Sequence, residues 1–283
     1  MALKNLKNRT NLRLNAESKA ELTDEELREH QLIAKEALDE IKRICEKNDI
    51  PYYLIAGTCL GAVRHKGFIP WDDDIDIGIL NRDYPRFEAA VSKELSDKFT
   101  WISNYTSKKS PRLFGKVLHD GFGCVDCFQL VKTADTPKGR ERHRKGRLIW
   151  YKLFVRKIGC YWSGENLLFY YISVILEKFI SWDTVIRMFR RNEARYENKD
   201  THYYMNINSV YKTEKETIRA EWLFPSGKVT FEGDEYSTVN DTDAYLSHLY
   251  GDYMTPTPPD KRRQKHMLVR FSEDGVSLKG AEN

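Results

Sequence analysis

Thr23-Asp-Glu-Glu26 reads as a capping box with an acidic first turn, and behind it Ile33, Ala37, Ile41, Ile44 and Cys45 recur at helical spacing. This pattern predicts one amphipathic helix that ends near Asn48, with Pro51 enforcing the stop. Tyr52–Ala56 is a short apolar run, a strand candidate that Gly57 ends, and Thr58 opens a short helix through about Lys66. Gly67 and Pro70 turn the chain into Asp74–Ile79. In that segment the period is two: Ile75 and Ile77 share one face, Asp74 and Asp76 the other. Asp83–Leu95 is predicted helical, with Phe87, Val91 and Leu95 on one side. Trp101–Tyr105, Leu113–Leu118 and Gly123–Val131 read as strands. Helices and short strands are mixed from Asp24 to Val131, an α+β pattern.

The pattern changes at Pro137. Lys138-Gly-Arg-Glu-Arg-His-Arg-Lys-Gly-Arg147 is a dense basic run, followed by an aromatic-rich stretch from Leu148 to Phe189. Its most apolar part, Leu167–Leu176, is half the roughly 20 residues that a spanning helix needs. The first reading is therefore a helical insertion packed on the core. A sharper one is a peripheral patch where basic and aromatic residues meet a membrane surface or a lipid-linked substrate. Trp222–His266 alternates strand-like and turn-rich pieces, with a short helix around Ala244–Tyr250 and a stop at Pro256, Pro258 and Pro259. Residues after about Arg270 read as a polar tail, and no internal repeat is present. The expected organisation is a catalytic core over 24–132, a basic and aromatic helical insertion over 133–205, and a segment over 206–270 that completes the domain.

Composition narrows the function classes. Lys and Arg number 46 against 42 Asp and Glu in 283 residues, a net charge of +4. That balance argues against a dedicated nucleic-acid binder. Met1 to Ala20 is polar, without the apolar core of a secretory signal. Five cysteines, Cys45, Cys59, Cys124, Cys127 and Cys160, form no dense framework, which fits reduced thiols and a cytoplasmic location. Cys124 and Cys127 have C-x-x-C spacing, but on a strand they would face opposite sides and are read as two buried strand cysteines.

The chemistry concentrates between Ala56 and Ile79. Two carboxylates on one face of a strand repel each other unless a cation sits between them, and hard ions such as Mg²⁺ bind such oxygens together with phosphates. Asp74 and Asp76 are the candidate ligands of a phosphoryl- or nucleotidyl-transfer site. Asp126, alone among apolar neighbours in Cys124-Val-Asp-Cys-Phe-Gln-Leu130, is the candidate third carboxylate. A buried Asp is costly unless paired or metal-bound, so capping a helix or pairing with Arg is its alternative. Gly57 and Thr58 at a helix start suit phosphate oxygens. Arg64 is the best cationic candidate for phosphate, whereas His65 and Lys66 read as solvated surface. Asp72 and Asp73 are expected to support the ligands or cap a helix. Trp71 is read as core packing, or as a face for a nucleobase or quaternary ammonium.

Gly57-Thr58 through Asp74-Ile-Asp-Ile-Gly78, with the Arg-His-Lys-Gly-Phe-Ile-Pro-Trp linker between, resembles the signature of the LicD family of phosphocholine transferases. That family is similar in turn to fukutin and fukutin-related proteins and lies within the nucleotidyltransferase fold superfamily. The resemblance continues at Tyr245-Leu-Ser-His-Leu-Tyr-Gly-Asp-Tyr-Met254 and Pro258-Pro-Asp-Lys261, and spans about residues 30 to 267. It implies a nucleotidyltransferase-like core, a short mixed β-sheet flanked by helices, with Asp74 and Asp76 as metal ligands and Gly57 and Thr58 lining the phosphate site. Asp126 takes the place of a further aspartate in the family's Ile-Asp-Ile-Phe-Pro-Leu-Asp-like strand, although Cys127, Gln129 and Val131 depart from that pattern. The implied reaction moves phosphocholine, or a related head group, from CDP-choline or a similar donor to a sugar hydroxyl. The implied acceptor is a teichoic-acid or lipopolysaccharide precursor, lipid-linked and met at the inner face of the membrane. One or two Mg²⁺ ions, or Mn²⁺ in their place, would assist, with Asp126 as a further ligand or as the base. The competing readings are a nucleotidyltransferase attacking the α-phosphorus of an NTP and a non-catalytic scaffold.

Overall fold

In the computed structural model the first helix, α1 (Asp24–Lys47), begins at the expected capping box. Thr23 Oγ1 accepts the Glu26 N–H at 3.2 Å, and the Glu26 carboxylate accepts the Thr23 N–H at 2.8 Å. The structure describes residues 23–103, 113–157, 167–209, 211–258, 269–272 and 275–278. Met1–Ala20, Tyr105, Cys160 and Pro259 lie outside them.

Next come β1 (Tyr52–Leu54), α2 (Ala56–His65), β2 (Ile75–Leu80) and α3 (Tyr84–Glu94), then β3 (Thr100–Ile102), β4 (Gly115–His119) and β5 (Phe122–Thr133). Most bounds fall within two residues of the sequence reading. The exception that matters is Gly57, which sits inside the first turn of α2 rather than ending the strand.

β5 is the spine of one mixed sheet. It runs parallel to β2, from Ile75 opposite Val125 to Leu80 opposite Leu130, and antiparallel to β4. β1 is antiparallel to β2. The two-residue period sorts each strand between two cores. Tyr52, Leu54, Ile75, Ile77 and Ile79 join α1 and α3 on one face. Tyr53, Ile55, Leu80 and Leu130 join α2 on the other. The sheet is therefore helix-covered on both sides, an α+β arrangement.

One irregularity corrects the reading of the cysteines. Val117 pairs with Val125 and Leu118 with Gly123, so Cys124 is an extra residue on β5, a bulge that breaks the alternation. Cys124 and Cys127 consequently enter the same apolar cluster, where both are free thiols.

The segment after Thr133 forms α4 (Pro137–Lys145), α5 (Leu148–Lys157), α6 (Leu167–Phe179) and α7 (Trp182–Glu193). Leu113, just ahead of β4, packs into their core with Leu153, Phe154, Val185, Ile186 and Phe189. The basic run of α4 does not lie on the surface as a continuous patch. Arg140 pairs with Glu214, Arg144 donates to the carbonyls of Ser209 and Tyr211, and Arg147 donates to the Ile207 carbonyl. β6 (Tyr203–Asn206) returns to β5, and β7 (Thr217–Arg219), α8 (Ala220–Leu223), β8 (Gly227–Phe231), β9 (Asp234–Thr238) and α9 (Thr242–Tyr250) follow. β9 lies parallel to β1. The expected polar tail is corrected: β10 (Val269–Ser272) and β11 (Gly275–Leu278) form a hairpin that reaches β5 at Arg270 opposite Phe122. The signal was the alternation of Val269 and Phe271, then Val276 and Leu278, with polar residues.

Candidate active site

Sheet register builds the site. Asp76 on β2 lies directly opposite Asp126 on β5, and Asp126 lies opposite Lys116 on β4. Three charged residues thus stand in one row across three adjacent strands, all on the face covered by α2. Asp74, two residues before Asp76, joins them. Carboxylate oxygens of Asp74, Asp76 and Asp126 lie within 4.8 Å of one another, and the same holds for Asp72, Asp73 and Asp74.

Burial and mutual repulsion set the electrostatics of the cluster. Burial, reinforced by Asp126 and Asp72, pushes the Asp74 carboxyl up to about 7. Burial also pushes Asp76 well above the ordinary carboxylate range, with Asp74 and Asp126 adding to it. Lys116 forms an ion pair with Asp126, and both side chains are buried. Lys116 is thus one positive charge beside a group of carboxyls that burial and mutual repulsion keep from ionising freely. An oxygen-seeking divalent ion fits that donor set.

Gly57 supplies the open side. A Cβ built there would stand 2.9 Å from Asp72 Oδ2 and 3.9 Å from Asp76 Oδ2, so any side chain would intrude on the carboxylates. The first turn of α2 can then bring its N–H groups to an anion above the cluster. Thr58 is buried, and its Oγ1 accepts the Asp76 N–H at 2.7 Å. Its hydroxyl fastens α2 to the strand that carries the carboxylates.

Arg64 and Trp71, the other expected site residues, are held by contacts of their own. Arg64 lies two turns farther along α2, about 10 Å from Gly57 at 1.5 Å per residue. Its Nη1 donates to the Tyr253 carbonyl at 2.7 Å and its Nε to His65. Trp71 is half-buried against the core on the α2 face. Asp72 and Asp73 lie beside Asp74, in keeping with a supporting place, whereas sequence reasoning missed Lys116 and Gln31. Gln31 of α1 donates to the Asp72 carbonyl at 2.8 Å and holds the acidic loop. A lysine inside the apolar Leu113–Leu118 strand was the available signal for Lys116.

The stretch around Tyr245 acquires a physical role. Ala56 has φ of +44°, a costly conformation for a residue with a Cβ. Its N–H donates to the Tyr245 hydroxyl at 3.0 Å. Tyr245 thus secures the start of α2, while the Tyr253 carbonyl secures Arg64 near its end.

Comparison with known proteins bears on the same region. Residues 49–136 match the family model described as LicD/FKTN/FKRP, nucleotidyltransferase domain. The lipopolysaccharide cholinephosphotransferase LicD of Haemophilus influenzae is 26% identical over 271 residues, 87% of this chain and 97% of that protein. An uncharacterized protein of Rickettsia prowazekii is 43% identical over 68 residues, 22% of this chain and 26% of that one. Human ribitol-5-phosphate transferase FKTN is 41% identical over 51 residues, 18% of this chain and 11% of its own length. β1, α2, β2 and β5, the elements that carry the carboxylates and Gly57, all lie inside the region that is similar to this family.

Proposed function

We propose that the protein transfers phosphocholine, or a related phospho-head group, from a CDP-linked donor to a sugar hydroxyl of a lipopolysaccharide or teichoic-acid precursor, releasing CMP. The observation that carries this reading is the carboxylate group of Asp74, Asp76 and Asp126 beneath the side-chain-free Gly57. The H. influenzae relative, spanned over 97% of its length, is named for phosphocholine transfer.

Asp74, Asp76 and Asp126 would hold Mg²⁺, which supplies charge neutralisation on the donor phosphates when bound. Asp74 and Asp76 hold protons more tightly than ordinary aspartates, and would have to release them to hold such an ion. Gly57 leaves room for a phosphoryl oxygen at the start of α2. Lys116 brings a positive charge to Asp126 and to the edge of the reacting group. Asp126 serves as a further ligand or accepts the proton of the attacking hydroxyl. We place the reaction on the cytoplasmic side of a membrane that holds the acceptor.

A panel of CDP-choline, CDP-ethanolamine, CDP-ribitol and CDP-glycerol tests this with Mg²⁺ present. CMP release from one donor, lost on chelation, is the expected result. Pyrophosphate release from an NTP would replace the reading with nucleotidyl transfer. If neither product formed, and calorimetry showed no Mg²⁺-dependent binding of a cytidine nucleotide, a non-catalytic scaffold would be the better description.

A further inference from the structure

The helical insertion leaves one row of α6 uncovered. Ile172, Ile175 and Phe179 are 41%, 57% and 81% exposed, and Tyr171 is exposed beside them. At 100° per residue, these four and the exposed Lys178 fall in an arc of about 120°. Leu176 and Ile180 turn the other way and pack on the insertion core. Isolated exposed apolar residues need no account, but an aligned row on one helix marks a contact surface.

Charge identifies what the row meets. Even without the inward-turned Arg140, Arg144, Arg147 and Arg156, the stretch from Pro137 to Arg195 holds 10 Lys and Arg against 5 Asp and Glu, whereas the rest of the chain has 32 against 37. Next to the row is a cavity of about 440 Å³ lined by Lys157, Val174, Glu177, Lys178 and Trp182. Lys157 Nζ donates to the Glu177 carbonyl at 3.0 Å, which holds its charge at the end of α6. Apolar residues flanked by lysines and a tryptophan suit a helix lying in a lipid interface. Crossing is excluded for α6, whose 13 residues are shorter than a bilayer core. Among the described residues no helix is long and apolar enough to cross a membrane. A second copy of the chain is a poorer occupant, because a two-fold contact at this row would oppose two insertions of the same positive charge.

We propose that α6 docks the protein on an anionic lipid surface, with Ile172, Ile175 and Phe179 entering the acyl boundary and Lys157 and Lys178 meeting headgroup phosphates. The placement has a consequence for the site. Leu113 is packed in the insertion core, three residues before Lys116, so a docked insertion holds the β4 end of the carboxylate row near the lipid surface.

Vesicle sedimentation tests the docking without any catalytic readout. The full chain should pellet with vesicles of phosphatidylcholine containing 30 mol % phosphatidylglycerol, far less with phosphatidylcholine alone, and less in 0.5 M NaCl. The double variant Ile175→Ser, Phe179→Ser should lose at least tenfold in vesicle partitioning while keeping the wild-type circular dichroism spectrum and melting curve. Lys178→Glu should weaken binding to anionic vesicles alone. Wild-type protein that stays in the supernatant with both vesicle types would overturn the proposal, as would a double variant that partitions like wild type. A concentration-dependent dimer in sedimentation velocity, lost in the double variant, would instead reassign the row to self-association.

Discussion

Asp76 shows how a functional residue can work against the fold that presents it. Its carboxyl is pushed up by burial and by Asp74 and Asp126, so the folded state favours the protonated form. The sign follows from linkage: a raised carboxylate contributes its stability below the unfolded value, and loses it as pH rises through the folded value. At pH 8 without metal, Asp76 is therefore destabilising, and Asn mimics its protonated form. Asp76→Asn should raise the stability of metal-free protein by roughly 1–2 kcal/mol and lose transfer activity. Asp74→Asn should likewise abolish transfer with the fold intact. Near wild-type turnover in either purified variant would end the ligand assignment. Lys116 predicts the opposite direction. Lys116→Met leaves a buried Asp126 without its partner, a loss of roughly 3–5 kcal/mol. Mg²⁺ should recover more of the melting temperature in that variant than in wild type, and an unchanged melting temperature would refute the pairing. The aspartates were legible because Asp-Ile-Asp on a strand has few structural uses. Lys116 was not, since only the β4–β5 register places it opposite Asp126.

At the scale of elements, α2 carries the argument. Its existence and length were readable from Gly57, Thr58 and the stop at Gly67. What holds it was not, because the holding groups lie nearly two hundred residues away, at Tyr245 and Tyr253. The linker after α2 is fastened in the same non-local way: Glu232 accepts the Phe68 N–H at 3.1 Å and pairs with Arg28. Where Arg64 falls along the helix axis relative to the carboxylates could not be judged from the sequence, and neither could its bond to the Tyr253 carbonyl. Tyr245→Phe removes the acceptor for the Ala56 N–H at a position of positive φ. It should cost about 1–2 kcal/mol of stability, while turnover falls by at least tenfold because Gly57 shifts relative to Asp72 and Asp76. Melting curves and steady-state rates on the same preparation separate the two effects. If the rate fell no further than a mild destabilisation explains, Tyr245 would be a core residue and nothing more.

Across the whole molecule, the insertion is joined to the sheet by buried polar groups as well as apolar ones, which is why its basic run misled. Long arginine side chains reach the carbonyls of 207–211, a connection that composition reads as surface charge. His143 sits at the centre of this join, fully buried between α4 and α7. The Asn192 carbonyl can only accept, so His143 Nε2 carries the hydrogen and donates to it at 2.7 Å. Nδ1 is then the acceptor for the Thr133 hydroxyl at 3.0 Å. Burial holds this imidazole down at about 4, and Arg195, Arg147 and Lys199 oppose its protonation further. A histidine lowered in the folded state leaves stability intact above its unfolded value of 6.5, and loses it as pH falls from 6.5 toward 4. Over that window the loss approaches about 3 kcal/mol, at roughly 1.4 kcal/mol per pH unit. Glu216, raised to about 7 by burial, and Asp74 act in the reverse sense over the same range, so the wild-type curve alone does not isolate His143. The comparison that does is with His143→Gln, which keeps a polar side chain and cannot titrate. Wild type minus variant, measured by urea denaturation at steps from pH 7 to pH 4, should fall steadily through the window and flatten below it. A constant difference would show that the imidazole never resists protonation, and that the insertion is joined by its apolar contacts alone.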